Sequence, residues 1–414
     1  MEAFCTIAPI KASIMGKHKP ADKIQDIQYF GEYGGVNPSI ADSSTFTYLA
    51  GKTMEEVFGG EREGCYLYSR HMNPSTGYLA EAIANMENTE AAQVAASGMG
   101  AISSVLMQIC SAGDHIVSSR TIYGGTYAFM KNFLPKFNIQ TSFVNTTSLE
   151  QIEAAINPNT KLIYCETMSN PLLEVSDIAA ISKLAKKHNL KLVVDNTFTP
   201  LIFSPKEMGA DVVIHSLTKF INGASDTVAG VICSTGEFVH ELIDVNEGAS
   251  MLLGPTLDAL RANSILKNLR TLHIRMKQHS ANADYLARKF KELGLKVFYP
   301  GLEEHPQHQL MKETMNAEFG FGGMLMVDAG NIEKANQLME SMQNENIGYL
   351  AVSLGFYKTL FSAPGASTSS EIPLEEQEEM GLSNGMVRMS VGLDNDIERS
   401  FQTIKKCMKA AGVI

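Results

Sequence analysis

His215-Ser216-Leu217-Thr218-Lys219-Phe220 follows the apolar run Val212-Val213-Ile214, and upstream a second run, Leu192-Val193-Val194, ends in Asp195. Short continuous apolar runs of this kind read as strands buried on both faces, the habit of a mostly parallel sheet in an α/β fold. The residues that end such strands fall on the sheet edge where ligands bind. That edge gathers one carboxylate (Asp195), two hydroxyls (Ser216 and Thr218) and one amine (Lys219). The set suits pyridoxal 5'-phosphate. The amine condenses with the aldehyde, the hydroxyls bond phosphate oxygens, and the carboxylate keeps the pyridine nitrogen protonated so that the ring can draw electrons. Taken singly, a strand-end Asp reads as a cap and Ser-x-Thr-Lys as a loop. Their joint occurrence at one edge carries the cofactor reading.

A glycine-rich turn supplies the rest of a phosphate site. Ser97-Gly98-Met99-Gly100-Ala101 precedes the apolar, helix-like stretch Ile102 to Met107. Backbone N–H groups at the start of a helix face an anion there. The dinucleotide fingerprint needs a third glycine where Ser103 stands, and no Gly-Lys-Ser/Thr of a P-loop occurs. A monophosphate is therefore favoured over NAD or ATP.

With 414 residues the chain exceeds the ~250 to 300 at which single cores stop growing, so more than one domain is expected. Six cysteines, Cys5, Cys65, Cys110, Cys165, Cys233 and Cys407, are scattered with no Cys-x-x-Cys and no metal-ligand spacing. Free thiols in a reducing, cytoplasmic compartment and no metal are the expectation. The start, Met1-Glu2-Ala3-Phe4-Cys5, has no basic region before an apolar run, and no stretch of ~18 apolar residues suggests a membrane span. A net charge of -11 without a Lys/Arg cluster leaves no footprint for nucleic acid or anionic membrane, so the expected partner is a small molecule. The 22 methionines are dispersed, as core filler.

Punctuation suggests three parts. Residues 1–60 are rich in turn formers and read as an extended arm. Residues 61–255 alternate helical stretches such as Asp177 to His188 with strands such as Leu162-Ile163-Tyr164, and form the expected cofactor domain. After Gly254-Pro255, residues 256–414 open with a long helical segment, Leu257 to about Leu293. Strand candidates Lys296 to Tyr299 and Gly323 to Asp328, a helix from Glu333 and a final helix from about Ile397 then indicate a smaller α+β domain. Ser367 to Ser370 and the acidic Glu375 to Glu379 read as a surface loop near the site's mouth.

Further motifs carry a resemblance. Phe30 to Asn37, Tyr68-Ser69-Arg70-His71-Met72-Asn73-Pro74, Ser97-Gly98-Met99, Tyr123-Gly124-Gly125-Thr126, Asn170-Pro171, Val194 to Thr197, His215 to Lys219, Tyr299 to Leu302, Ala351 to Gly355 and Val387 to Gly392 run nearly end to end. With them the chain resembles the Cys/Met-metabolism family of pyridoxal-phosphate enzymes, and among its members the plant-type methionine γ-lyases. The resemblance implies the fold-type I transferase-like architecture. It implies Lys219 as the lysine that binds the aldehyde and Asp195 as the partner of the pyridine nitrogen. Ser216, Thr218 and the backbone of Gly98 and Met99 become phosphate ligands. Tyr123 is implied to stack on the ring and act as an acid. Tyr68 and Arg70 are implied to reach the cofactor of a neighbouring subunit, with Tyr68 also near the substrate. Asn170 is implied beside the ring hydroxyl, and Arg388 with Ser353 at the substrate carboxylate, which an arginine's planar fork matches.

The implied reaction is elimination of the γ-thiol of L-methionine to methanethiol, 2-oxobutyrate and ammonia by a homotetramer whose sites are shared across a dimer. One departure bears on the substrate: bacterial methionine γ-lyases carry a cysteine where this chain has Gly125. A γ-replacement transferase, such as a cystathionine γ-synthase or an O-acylhomoserine sulfhydrylase, and a cystathionine γ-lyase stay open as alternatives. So does a silent binding protein on the same fold, against which Lys219, Asp195 and Arg388 all count.

Overall fold

The computed structural model describes residues 18–59, 61, 64–366, 375, 377 and 381–414. Seven strands form the first sheet: β1 (Ala91–Ala95), β2 (His115–Ser119), β3 (Gln140–Val144), β4 (Thr160–Glu166), β5 (Lys191–Asp195), β6 (Val212–Ser216) and β7 (Gly230–Ser234). Their order is β1-β7-β6-β5-β4-β2-β3. The pairs from β6 through β3 are parallel, and β7 runs antiparallel to both its neighbours. The runs at 162–164, 192–195 and 212–214 are thus strands of a mostly parallel sheet, as their composition predicts.

Both faces of this sheet are covered, which explains why its strands are apolar throughout rather than alternating. Ile163, Leu192, Val194 and Val213 pack on helices Pro74–Glu87, Ile178–Lys187 and Ala259–Leu269. Leu162, Tyr164, Val193 and Ile214 pack on the opposite side against helix Gly98–Ile109. All four helices begin at a side-chain cap that satisfies otherwise orphaned N–H groups: Asn73 accepts from Ser75 N, Ser97 from Gly100 N, Asp177 from Ala180 N and Asp258 from Arg261 N.

The second sheet holds β8 (Val297–Phe298), β9 (Met324–Asp328), β10 (Gly348–Leu350), β11 (Thr359–Ser362) and β12 (Met386–Ser390), in the order β10-β11-β12-β9-β8. One face, with Leu325, Val327, Val387 and Met389, is covered by helices Leu272–Glu292, Ile332–Asn344 and Ile397–Ala410. The other face turns Met326 and Met386 into the core of the first sheet. Arg388 is the register partner of Met326, so the pleat aims it the same way, toward the strand ends of the first sheet.

The helical segment expected from Leu257 to about Leu293 is two helices, broken at Arg270 and Thr271. The carbonyl of Asn268 accepts from Arg275 Nη2 at 3.0 Å and Thr271 Oγ1 at 3.1 Å, as well as from the N–H of Thr271 at 3.2 Å. Within the stretch read as an arm, Pro20–Gln25 and Gly51–Phe58 are short helices, and Phe30, Tyr33, Val36 and Leu49 are exposed. The start of the chain and most of the Ser367 to Glu379 loop lie outside the described residues. Among the described residues no helix is long and apolar enough to cross a membrane.

Candidate active site

The carboxyl ends of β4, β5 and β6 open on a cavity of about 240 Å³. It is lined by Gly98, Met99, Tyr123, Asn170, Asp195, Ser216, Thr218, Lys219 and Arg388, nine of the twelve expected site residues. Ser353 is tied to it by a hydrogen bond, since Lys219 Nζ donates to Ser353 Oγ at 3.1 Å. Tyr68 and Arg70 are not among the lining residues. Arg70 Nη1 instead donates to the carbonyl of Met251 at 2.7 Å, with its guanidinium 5.8 Å from the Tyr68 ring.

The Ser216 side of the cavity follows from close packing. Helix Gly98–Ile109 starts directly against the end of β6, and a Cβ at residue 98 would lie 2.9 Å from Ser216 Cβ. Glycine is required by that approach, not by an unusual backbone angle. It brings the first turn of the helix, with its N–H groups and partial positive charge, beside the Ser216 and Thr218 hydroxyls. Ser216 is held in turn by its own N–H, which donates to Thr197 Oγ1 at 2.8 Å.

The opposite side is acidic. Asp195 accepts from Thr197 N at 2.9 Å and from the Tyr164 hydroxyl at 3.4 Å. Burial pushes its carboxyl above the usual range, so a cation placed against it would be stabilised. Glu166 stands beside it, as the register partner of Asp195 between β4 and β5. It is also buried, and burial together with Asp195 holds its carboxyl well above the ordinary range. Its two oxygens accept the N–H groups of Tyr123 at 2.8 Å and Asn170 at 2.9 Å. The Tyr123 ring lies over Gly125, where a Cβ would come within 2.6 Å of a ring carbon.

Two bases complete the cavity. Burial, then the nearby Arg388 guanidinium, lowers the Lys219 amine to about 8. Arg388 is almost wholly buried, its Nη1 donates to Asn170 Oδ1 at 2.9 Å, and burial lowers it to about 10. It stays a cation at neutral pH.

The donor set fits pyridoxal phosphate: an amine for an aldehyde, a buried carboxylate for a ring nitrogen, and hydroxyls with a helix start for a phosphate. The profile of the Cys/Met metabolism PLP-dependent enzymes matches residues 24–405. The chain belongs to this family. A methionine gamma-lyase of Arabidopsis thaliana is 45% identical over 394 residues, 94% of this chain and 89% of that protein. An L-methionine gamma-lyase of Fusobacterium nucleatum subsp. polymorphum is 38% identical, covering 90% of this chain and 95% of its own. Among solved structures, the cystathionine gamma synthase of Xanthomonas oryzae pv. oryzae in complex with aminoacrylate and cysteine superposes with a TM-score of 0.86 at 30% identity, over 95% of this chain and 98% of that one. The protein is accordingly a PLP-dependent enzyme of Cys/Met metabolism, and its substrate class is the amino acid.

Sequence reasoning missed Glu166 and Val228 and gave no role to Thr197 and Val352, all at the cavity. Glu166 was findable: it follows the run Leu162-Ile163-Tyr164 as Asp195 follows Leu192-Val193-Val194, and two strand-end carboxylates on neighbouring parallel strands share an edge. Val228 and Val352 carry no polar signal and are placed only by the fold.

Proposed function

We propose that the protein is a carbon–sulfur lyase that eliminates the γ-thiol of L-methionine, giving methanethiol, 2-oxobutyrate and ammonia with uptake of one water. The observation that carries this reading is the convergence of Lys219 Nζ, Ser353 Oγ and Arg388 on one buried cavity whose open side is apolar. The charged groups lining it are Glu166, Asp195, Lys219 and Arg388, while Val228 and Val352, both more than half exposed, line the mouth. A methylthio group suits the apolar lining of that mouth, which among the described residues offers no charged partner to the distal end of cystathionine. The methionine gamma-lyases among the relatives support the same choice.

Arg388 binds the substrate carboxylate through its free donors while Asn170 fixes its plane. When bound, pyridoxal phosphate supplies an electron sink for the charge left at the α-carbon. The Lys219 amine, lowered toward neutrality by burial, takes the α-proton and, once it has passed that proton on and is neutral again, takes a proton from the β-carbon. Ser353 Oγ accepts from that amine and holds it in the cavity. The Tyr123 hydroxyl gives its proton to the departing sulfur. Asp195 holds the ring nitrogen's charge, and Ser216, Thr218 and the backbone of Gly98 and Met99 hold the phosphate.

The chain is read as cytoplasmic, on its cysteine usage, and as a homotetramer built of dimers that share sites. Exposed Phe30, Tyr33, Val36 and Leu49 support burial against another subunit. Tyr68 and Arg70, absent from this chain's own cavity lining, are read as serving the neighbour's. The division into residues 1–60, 61–255 and 256–414 belongs to the same reading.

A product assay tests the reaction. Methionine alone should release 2-oxobutyrate and methanethiol. A γ-replacement transferase, the second reading favoured by the likeness to a cystathionine gamma synthase, would leave methionine intact and consume an O-acylhomoserine only with an added thiol.

A further inference from the structure

Glu166 has no part in the steps above, yet it sits in the cavity wall with both carboxyl oxygens engaged. Neighbouring strands lie ~4.8 Å apart, and residues in parallel register share a face, so Glu166 and Asp195 place two carboxyls side by side in the same buried wall. Oxygens of Glu166 hold the N–H groups of Tyr123 and Asn170, and Asn170 in turn holds Arg388. One carboxylate thus fixes the turn that carries the ring-facing tyrosine and the residue that orients the substrate-binding arginine. Two like charges so close in a dry wall do not both ionise readily.

We propose that Glu166 is a positioning residue that shares one proton with Asp195 in the cofactor-free protein, and that this proton sets the acid limit of cofactor binding. The inference rests on the reading of Asp195 as the partner of the ring nitrogen. Bringing a cationic ring nitrogen against Asp195 offsets one of the two negative charges and lets both carboxyls ionise. Acidification restores the proton to the pair and opposes that contact. The groups that face the pair are Tyr164 and Cys165 on β4, Tyr123, His215 on β6, Lys219 and Arg388. Tyr164 and Cys165 stay neutral, since burial raises both far above neutral pH. Arg388 stays charged throughout, and the Lys219 amine, at about 8, titrates in every variant below, so the proton of the pair is read from the difference between variants.

The experiment measures the dissociation constant of pyridoxal phosphate from the cofactor-free protein by absorbance titration between about pH 5 and 8, for the wild type, Glu166→Gln, Glu166→Asp and Asp195→Asn. In Glu166→Gln, Asp195 loses its like-charged neighbour, so the acid midpoint should fall by about one pH unit or more. Glu166→Asp keeps the charge and should keep the midpoint near the wild type's. A Glu166→Gln affinity weakened equally at every pH, with the midpoint unmoved, reduces Glu166 to a scaffold and overturns the proposal. If Asp195→Asn leaves the whole profile unchanged, the reading of Asp195 fails instead. Should Glu166→Gln not fold, the wild type decides by infrared difference. A protonated-carboxyl band in the cofactor-free protein at neutral pH should vanish on loading, and its absence beforehand overturns the proposal.

Discussion

Lys219 Nζ donates to Ser353 Oγ at 3.1 Å, joining the turn after β6 to the segment between β10 and β11. The contact brings the reactive amine of one sheet under the control of the other. It also holds a lysine in a buried site beside Arg388, where the charged form is disfavoured.

The first expectation concerns pH. A free lysine amine is protonated until about pH 10.4. Lys219, lowered to about 8, gains its neutral form two units earlier. Capture of pyridoxal phosphate by the cofactor-free protein, followed by stopped-flow absorbance, should therefore speed about tenfold per unit from pH 6 to 7 and level off above about 8. The sign is that of a depressed base: capture is lost as pH falls through the folded pKa. A rate still climbing at pH 10 would place Lys219 outside this environment, and Lys219→Ala should show no capture at any pH.

Tyr123→Phe keeps the ring over Gly125 and should keep the cofactor, while removing the hydroxyl proposed to protonate sulfur. Steady-state release of 2-oxobutyrate from methionine should drop ~10² to 10⁴-fold, the range for a lost general acid. A rate within a few-fold of the wild type leaves Tyr123 a packing residue only.

Gly98→Ala drives a Cβ against Ser216 and the end of β6. Overpacking of this kind costs about 1 to 3 kcal/mol, and here it also moves the helix start away from the Ser216 and Thr218 hydroxyls. Denaturant midpoint and cofactor affinity should fall together. Unaltered affinity for pyridoxal phosphate would show that the helix start does not hold the phosphate.

Site sharing has its own test. Lys219→Ala and Arg70→Ala, each inactive alone, should form mixed dimers with one intact site when co-expressed. Random pairing would return about a quarter of wild-type activity. No recovery would mean that Arg70 serves its own chain's site.

The sequence by itself determined the mostly parallel sheet and the cofactor class. Both are local: apolar runs, and a short motif such as Ser216 to Lys219 whose residues meet because they are neighbours in the chain. Residues 257–293 show the limit of local reading, because at the break Arg275 also donates to the carbonyl of Ile221, a residue distant in the chain. The tertiary structure alone decided that Glu166 stands beside Asp195, that Ser353 meets Lys219, and that the pleat of β12 turns Arg388 toward Asn170. Strand order and register set those meetings, and both follow from packing two sheets on a shared core, where the desolvation of a buried charge depends on every neighbour at once.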